Sequence, residues 1–297
     1  MDGQRPYVEI YEEKKALGHG AHGTVVLAMN RETKHLVAVK KMNLGDMGDE
    51  KERKMCHNEV MLLRSLRLSC PNIINYVESF EEEGTFYIVT EYCEDGTLAD
   101  HIKERRDQGS HFKDTEVFSI FMQLLIGLDH LHGKKIVHRD LKTQNIFLTK
   151  RSKCTQVNPQ AMVGNSFLVK LGDFGVSRAM GTQTCALKTV VGTPYYMSPE
   201  LVQGTPYNSK SDVWALGCVL YELITLKKAF PGDNLAQVVM AIATGKYEPL
   251  PQGSLPELKQ LVQGILVCDP GRYAPFFPRQ VQVCCPAVPV RFAGSLC

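Results

Sequence analysis

The spacing of apolar residues changes near residue 92, and this change limits the possible folds more than any other feature of the sequence. Before residue 92, short β-branched and aromatic runs alternate with turns, whereas later apolar residues recur at helical spacing. The strands predicted in the first part are residues 7–17, 24–29, 37–41, 73–80 and 86–92, with an amphipathic helix at 50–67. The helices predicted in the second part are 114–132, 209–225, 234–244 and 255–267, with short strands at 145–148 and 168–171. We therefore expect an α+β chain with a small β-rich part and a larger helical part.

Three further expectations concern the second part. Gly133 is predicted to end the helix 114–132 as the residue just past its last turn. The polar residues 151–167 are predicted to form a surface loop. Helical spacing stops at Asp269 and prolines recur after it, so residues 276–297 are predicted to form an irregular, disordered tail.

The composition excludes several classes of protein. The 297 residues are 44% hydrophobic and 22% charged, with a net charge of +2, as in ordinary globular proteins. So small a charge predicts no binding to nucleic acid or to a membrane surface. The sequence shows no signal peptide and no apolar run of membrane-spanning length. The ten cysteines include no CxxC pair, so we expect reduced thiols in the cytoplasm or nucleus.

Three glycines, Gly18, Gly20 and Gly23, form a G-x-G-x-x-G pattern. The pattern alone is weak, because any tight turn and also a dinucleotide-binding fold can use the same letters. Here the residues after Gly23 continue as a strand and not as a helix, and no acidic ribose partner follows in a βαβ unit. This arrangement favours a glycine hairpin whose main-chain N–H groups approach phosphates.

A lysine and a glutamate of the first part predict an ion pair. Lys40 ends the predicted strand 37–41, and most lysines at strand ends are simply solvated. Glu59 lies on the apolar stripe of the helix 50–67, where a lone carboxylate is costly unless a cation pairs with it. We favour a Lys40–Glu59 pair that holds the ammonium over the glycine hairpin.

Residues 138–145 read H-R-D-L-K-T-Q-N and lie between a predicted helix and a predicted strand. Charged residues after a helix are usually a solvated connection. If both point into one cleft, however, Asp140 can accept a proton from a hydroxyl nucleophile and the Asn145 oxygen can ligate a cation beside a phosphate. Asp173 follows the strand 168–171 and could supply a second oxygen ligand, although Asp-x-Gly is also an ordinary turn.

Together these motifs resemble the catalytic domain of a eukaryotic protein kinase. The glycine hairpin, V-A-V-K at 37–40, Glu59, residues 138–145, D-F-G at 173–175 and S-P-E at 198–200 occur in order at suitable spacings. Lys142 and G-T-P-Y-Y at 192–196 resemble serine/threonine kinases, and residues 138–148, 170–175 and 190–201 are similar to the NIMA-related (Nek) family. The resemblance implies a two-lobed kinase domain at 8–275, with a small β-rich N-lobe at 8–92, a larger helical C-lobe at 93–275, and ATP with Mg²⁺ in the cleft.

The resemblance also implies roles for single residues. Asp140 would be the catalytic base, Lys142 would steady the transferring phosphoryl group, and Thr193 would hydrogen-bond around both. Asn145 and Asp173 would bind Mg²⁺, and Glu59 would lock Lys40 onto the α- and β-phosphates. The implied nucleotide-binding residues are Leu17, Gly18, His19, Gly20, Ala21, His22, Gly23, Val25, Ala38, Lys40, Thr90, Glu91, Cys93, Phe147 and Asp173. Within this set Thr90 would be the gatekeeper, and Asp212, outside it, would brace the catalytic loop.

The implied activity is transfer of the ATP γ-phosphate to serine or threonine of protein substrates, in cell-cycle, cilium or microtubule regulation. Arg139 suggests activation by loop phosphorylation, and Thr189 is the first candidate for the residue that an upstream kinase phosphorylates. The location would be cytoplasmic, with nucleus, centrosome and cilium as further compartments. The loop 151–167 is longer than usual in the family, and a tolerated insertion is favoured over a docking site.

The carboxyl end departs from the family pattern. Arg272 stands one position early for its expected pairing with Glu200, and without that pair the large lobe would be marginal. The alternative hypothesis is therefore a catalytically weak, truncated isoform that acts as a binding or regulatory module.

Overall fold

The structure is a computed structural model and describes residues 5–20, 23–45, 60–150, 167–173 and 195–268. The chain divides into two compact units, one on each side of the bond between Glu94 and Asp95. The first unit is built on a five-stranded sheet, and the second is mainly helical with one two-stranded sheet. The predicted α+β class, with a β-rich part before a helical part, is confirmed. In the part of the chain described here, no helix combines the length and the apolarity needed to cross a membrane.

The first unit contains an antiparallel sheet in the order β1-β2-β3-β5-β4. Its strands are β1 Tyr11–Gly20, β2 Gly23–Asn30, β3 Leu36–Asn43, β4 Tyr76–Glu82 and β5 Thr85–Glu91. Two helical stretches accompany them, α1 at Tyr7–Ile10 and α2 at residues 60–66. Each predicted strand is present, and the described part of the predicted helix 50–67 is helical.

The strand predicted at 7–17 is wrong for its first residues, which form α1. The carbonyl of Pro6 accepts hydrogen bonds from the N–H groups of Glu9 and Ile10, at 3.0 and 3.3 Å, and these close one helical turn. Tyr7 then packs into the core, where its ring stacks on Tyr87 with centroids 4.5 Å apart. Burial of the Tyr7 ring stabilises the turn, and strand spacing alone could not predict it.

Side chains project alternately from the two faces of the sheet. One face carries a hydrophobic core cluster, formed by Tyr7, Tyr11, Val26, Ala28, Val37, Val39, Phe80 and Val89. Directly paired residues of neighbouring antiparallel strands share a face, and successive residues alternate between faces. Val26, Val39 and Val89 are paired across β2, β3 and β5 and lie on the core face. Their neighbours along each strand therefore project from the opposite face.

The second unit is organised around a buried helix, α6. Its elements are α3 Leu98–Asp107, α4 Asp114–Gly133, β6 Ile146–Lys150, β7 Phe167–Leu171, α5 Pro199–Val202, α6 Ser209–Thr225, α7 Leu235–Thr244 and α8 Pro256–Ile265. Helix α6 packs against α4 and α8, and Trp214 and Leu216 are fully buried. The helices predicted at 114–132, 209–225, 234–244 and 255–267 are confirmed to within one or two residues.

Two features of the second unit differ from expectation. Gly133 is the last residue of α4, and Lys135 adopts the left-handed conformation instead, with φ of 60°. Helix α3 was not predicted, although Thr97 and Asp100 carry the signature of a capping box. The Thr97 hydroxyl accepts from the Asp100 N–H at 3.2 Å, and the Asp100 carboxylate accepts from the Thr97 N–H at 2.9 Å.

Candidate active site

The glycine pattern lies in a hairpin between two antiparallel strands. Gly20 at the end of β1 faces Gly23 at the start of β2, so the predicted strand after the glycines is confirmed and a dinucleotide-binding turn is wrong. Gly23 has φ of 132°, and a Cβ there would lie 2.0 Å from the carbonyl oxygen of Lys41. Only glycine fits this close approach of β2 to β3. His19 Nδ1 lies 3.1 Å from Thr24 Oγ1 near the end of the hairpin.

Four predicted nucleotide-binding residues share the sheet face opposite the core. Val25 pairs with Lys40 across β2 and β3, and Ala38 pairs with Thr90 across β3 and β5. All four are half-buried, unlike the valines of the core face. The register therefore brings an ammonium, two small apolar side chains and a threonine hydroxyl onto one surface next to the glycine hairpin. Their contact with a nucleotide stays a prediction.

The remaining predicted residues of the first unit have different surroundings. Leu17 on β1 is exposed, and Cys93 after β5 is buried. Glu91 ends β5, and its carboxylate accepts a hydrogen bond from the Asn75 N–H at 2.6 Å, which ties β5 to the segment before β4. Ala21, His22 and Glu59 lie outside the described residues, so the Lys40–Glu59 pair stays a prediction.

Asp140 lies in the predicted catalytic loop (residues 138–145, called the catalytic loop below). Its Oδ2 accepts hydrogen bonds from Lys142 Nζ at 2.7 Å and from Asn145 Nδ2 at 3.0 Å. Asn145 Nδ2 also donates to the main-chain oxygen of Asp140 at 2.8 Å. The structure thus brings together the predicted base, the predicted phosphoryl-contacting lysine and one predicted metal ligand. Thr193 lies outside the described residues.

The second predicted metal ligand is brought to the same place by the pairing of β6 and β7. Ile146 pairs with Leu171, and the Gly172 N–H donates to the main-chain oxygen of Asn145 at 3.0 Å. Asn145 and Asp173 therefore lie at the same end of this hairpin. Asp173 is exposed and has φ of 51°, in the left-handed region. Phe147 pairs with Lys170 on β6 and β7 and bridges to Thr97.

The backbone of the catalytic loop is held by Asp212, as expected. This carboxylate near the start of α6 is fully buried. It accepts from the main-chain N–H groups of His138 at 2.8 Å and Arg139 at 3.0 Å. His132 Nε2 donates at 2.8 Å and the Tyr207 hydroxyl at 2.6 Å. Two main-chain bonds fix the loop just before Asp140, where Arg139 has the left-handed φ of 69°.

The ionisation of these groups follows from burial and hydrogen bonding. Burial opposes the charge on Asp212, but donors that include His132 and Tyr207 outweigh it and hold the pKa of Asp212 below its ordinary value. Burial lowers the pKa of His138, which keeps its imidazole neutral near neutral pH. Burial and then the charge of Asp212 raise the pKa of Tyr207 well above its ordinary value. Asp212 is therefore an anion held by several donated hydrogen bonds.

A second network on the same helix was not predicted. The Tyr196 hydroxyl lies 2.9 Å from the Thr143 hydroxyl of the catalytic loop, 2.5 Å from Glu222 Oε2 and 2.6 Å from Lys228 Nζ. Lys228 also donates to Glu222 Oε1 at 2.6 Å. A signal did exist in the sequence. Glu222 falls among the apolar residues of the helix 209–225, and a buried carboxylate requires a donor there as much as Glu59 does.

Glu200 of the S-P-E motif is buried and accepts from the Ser211 hydroxyl at 2.6 Å. Its expected partner Arg272 lies outside the described residues, as do Thr189 and residues 151–166 of the predicted loop 151–167. The last residue of that predicted loop, Phe167, instead begins β7. The pairing of Glu200 with Arg272 therefore stays a prediction.

The chain is similar to a known protein family over most of its length. A family model of the protein kinase domain matches residues 11–274. The match runs from the first residue of β1 past the end of α8. It therefore takes in both the sheet of the first unit and the catalytic loop of the second.

Three curated relatives show the same likeness. Serine/threonine-protein kinase Nek8 of Danio rerio is 43% identical over 265 residues, covering 89% of this chain and 35% of that protein. Serine/threonine-protein kinase Nek5 of Homo sapiens is 40% identical over 261 residues, covering 88% of this chain and 34% of that protein. Serine/threonine-protein kinase nekl-2 of Caenorhabditis elegans is 40% identical over 263 residues, covering 86% and 69%. The chain thus spans about a third of the first two relatives.

Proposed function

Because the chain belongs to the protein kinase family, and within it to the Nek group, we propose that it transfers the γ-phosphate of ATP to serine or threonine hydroxyls of proteins. One observation carries the proposal. The carboxylate of Asp140 is held by Lys142 and Asn145 on a loop whose main-chain N–H groups are fixed by Asp212. This is a positioned base with a cation beside it, as hydroxyl activation next to a phosphate requires.

Each residue of the loop has a separate part in the proposed reaction. Asp140 orients the acceptor hydroxyl and takes up its proton as the oxygen attacks the γ-phosphorus. The bond between that phosphorus and the β,γ-bridging oxygen breaks in the same transfer, and ADP leaves. Lys142, whose ammonium lies 2.7 Å from Asp140 Oδ2, neutralises negative charge on the transferring group. Asp212 does not touch the substrate and keeps the loop backbone in place. Little covalent chemistry is asked of the protein, so positioning and charge supply the rate.

The donor set at the end of β6 and β7 fits Mg²⁺. Both hydrogen bonds of the Asn145 amide nitrogen go to Asp140, so the amide oxygen is turned away from that residue. Asp173 supplies a carboxylate at the same end of the hairpin. Amide and carboxylate oxygens are the hard ligands that Mg²⁺ prefers. When bound, the ion would neutralise phosphate charge and hold the γ-phosphate in line with the acceptor.

The sheet face opposite the core is the proposed contact with ATP. Lys40 would hold the phosphates, and the glycine hairpin would offer main-chain N–H groups to them. Val25 and Ala38 would pack on the adenine ring, with Thr90 beside them. The half-buried state of these four side chains and their common face support this part of the proposal.

Activation and location complete the proposal. An upstream kinase would phosphorylate Thr189, and Arg139 would receive the phosphate. The predicted location is the cytoplasm, with nucleus, centrosome and cilium as further compartments. The alternative of a catalytically weak regulatory module is not favoured, since the three relatives above are each named serine/threonine-protein kinase.

The test combines binding and turnover on the purified chain. ATP with Mg²⁺, at about 100 times its Kd, should stabilise the folded chain by about 2.7 kcal/mol. The melting temperature should rise accordingly. Phosphotransfer from labelled ATP to a generic protein substrate should fall about 10²- to 10⁴-fold in Asp140→Asn. Asp107→Asn, at the end of α3, is the matched control and should keep full activity. No ATP-induced stabilisation, together with equal transfer by the unmodified chain and Asp140→Asn, would sink the enzyme function in favour of the regulatory module.

A further inference from the structure

The network around Tyr196 connects a single lysine to the catalytic loop. Helix α6 ends at Thr225, and Leu226 takes the left-handed conformation with φ of 59°. Its N–H donates to the main-chain oxygen of Glu222 at 2.8 Å, which closes the helix and reverses the chain. The reversal brings Lys228 back to the side chain of Glu222, 2.6 Å away.

The directions of the hydrogen bonds in this network are fixed by chemistry. A carboxylate only accepts and an ammonium only donates. The Tyr196 proton therefore goes to Glu222, and the Tyr196 oxygen accepts from Lys228. Burial and the charge of Glu222 raise the pKa of Tyr196 well above its ordinary value, so the hydroxyl keeps this proton. The Tyr196 oxygen must then accept from Thr143. Each member has one defined role, so the network has a single arrangement.

Thr143 transmits this arrangement to the reacting groups. It is fully buried and begins the helical turn Thr143–Asn145. It stands between Lys142 and Asn145, the two residues whose side chains hold Asp140. A shift of Thr143 would therefore move both donors relative to the proposed base. Small displacements of this kind lower turnover strongly, because positioning supplies most of the rate.

We propose that Lys228 is a positioning residue for phosphoryl transfer, acting through Tyr196 and Thr143 on the hold of Lys142 and Asn145 on Asp140. The inference rests on the proposed kinase function. Lys228 balances the charge of Glu222, whose side chain is only 5% exposed, and so keeps this carboxylate oriented toward Tyr196. Without the lysine, the buried carboxylate draws in water or turns toward solvent, and Tyr196 loses its two charged partners.

The adjacent lysine supplies a matched control. Lys227 pairs with Glu248 at 3.3 Å, and the two side chains are 68% and 67% exposed. Such surface pairs contribute little to stability or position. The same substitution at the two neighbouring positions therefore separates a buried network from an exposed pair.

The experiment compares Lys228→Met with Lys227→Met by steady-state kinetics. Lys228→Met should lower kcat about tenfold or more while the KM for ATP changes less than about twofold, since the lysine acts on the loop and not on the nucleotide. Lys227→Met should match the unmodified chain. Lys228→Arg, which keeps a cation, and the double variant Lys228→Met with Glu222→Gln, which removes both charges, should each recover kcat to within about threefold.

Contrary outcomes are distinct. An active unmodified chain with an unchanged kcat in Lys228→Met overturns this inference alone, as does a fall in kcat that neither Lys228→Arg nor the double variant restores. If Lys228→Met does not fold, Tyr196→Phe replaces it, because the ion pair remains while the junction to Thr143 is lost. An unchanged kcat in Tyr196→Phe also overturns the inference.

A chain without any phosphotransfer contradicts the proposed function and leaves a second readout. Amide hydrogen exchange of residues 141–147 should be faster in Lys228→Met, or in Tyr196→Phe, than in Lys227→Met. Equal exchange in the variants would overturn the inference without reference to activity.

Discussion

Helix α6 carries two buried carboxylates that both serve the catalytic loop, and they do so in different ways. Asp212, near its start, accepts from two main-chain N–H groups, an imidazole and a phenol. Glu222, near its end, is bonded to a lysine and a tyrosine side chain. The first fixes the loop backbone directly, whereas the second reaches the loop through the side chains of Tyr196 and Thr143.

This difference predicts different responses to substitution. Several donors share the charge of Asp212, so loss of one donor leaves the others in place. Among the residues that the structure describes, one cation, Lys228, balances the charge of Glu222, so loss of either member removes the counter-charge of the other. Phosphotransfer should therefore tolerate the loss of one side-chain donor to Asp212 but not the loss of Asp212 itself. It should be sensitive to the loss of either member of the Glu222–Lys228 pair.

The largest effect is expected for Asp212→Ala. Each buried donor that loses its acceptor costs about 1–3 kcal/mol, and two of the donors are main-chain N–H groups that cannot turn to water. We expect the free energy of unfolding to fall by about 4 kcal/mol or more, with loss of phosphotransfer. Urea denaturation measures it, and Asp233→Ala at an exposed position should stay within about 0.5 kcal/mol. If Asp212→Ala lowers the free energy of unfolding no more than Asp233→Ala does, Asp212 does not hold the loop backbone as described.

Glu222→Ala should have the next largest effect. It leaves the Lys228 ammonium beside Tyr196 without its carboxylate, and breaking a buried pair typically costs about 3–5 kcal/mol. The Lys228 side chain is 26% exposed, so part of this cost is relieved by water and we expect about 3 kcal/mol at most. Glu248→Ala, the partner of Lys227 on the surface, is the control. A loss as small as that of Glu248→Ala would mean that the buried pair contributes no more than the exposed one.

Tyr207→Phe and Tyr196→Phe compare one hydroxyl from each network. Either change removes a hydrogen bond to a carboxylate, at about 1.5–3 kcal/mol of unfolding free energy. Tyr207→Phe should leave kcat nearly unchanged, because Asp212 still holds the two main-chain N–H groups. Tyr196→Phe should lower kcat about tenfold, because Thr143 loses its acceptor. Equal values of kcat in the two variants would contradict this division of roles.

The smallest expected effect is on the pH dependence of stability. The pKa of His138 is lowered by burial, so the unfolded chain binds this proton more readily. Its contribution is therefore complete above about pH 6.5 and is lost as the pH falls toward the folded-state pKa, by at most about 1.4 kcal/mol per pH unit. Asp212, whose pKa is also lowered, loses its contribution only below about pH 4. His138→Gln should make the free energy of unfolding less dependent on pH between pH 7 and pH 5. If this pH dependence is unchanged in the variant, it arises from groups other than His138.

Much of the fold was readable from the sequence because residue spacing and burial agreed. The spacing of apolar residues predicted the β-rich part and the helical part of the chain. The long helix α6 was predicted with its observed ends, Ser209 and Thr225. The short helix α1 was not readable, because one turn closed on the Pro6 carbonyl leaves no periodicity. Helix α3 was missed although Thr97 and Asp100 mark its start, because it buries only Leu98 and Ile102, too few residues to form a recognisable apolar stripe.

The residues of the predicted site also differ in how well the sequence alone could place them together. Asp140, Lys142 and Asn145 lie close together in the chain, so their meeting followed from the motif. Lys40 and Thr90 share one face of the sheet because of strand register, which depends on long-range pairing. The Tyr196–Glu222–Lys228 network was missed because it depends on the left-handed turn at Leu226, where no glycine marks the conformation. Tertiary packing, and not the residue type, holds Leu226 in this conformation, so the neighbouring sequence gives no signal of it.

The hairpin of β6 and β7 has a consequence for engineering. Ile146 and Leu171 pair at the end that holds Asn145 and Asp173, whereas Lys150 and Phe167 pair at the other end. Four residue steps of a strand separate the two ends by roughly 14 Å. Sequence added between Lys150 and Phe167 therefore enters and leaves the fold away from the proposed metal ligands. A reporter peptide or affinity tag placed there would join the fold at the end of the hairpin that is far from Asn145 and Asp173.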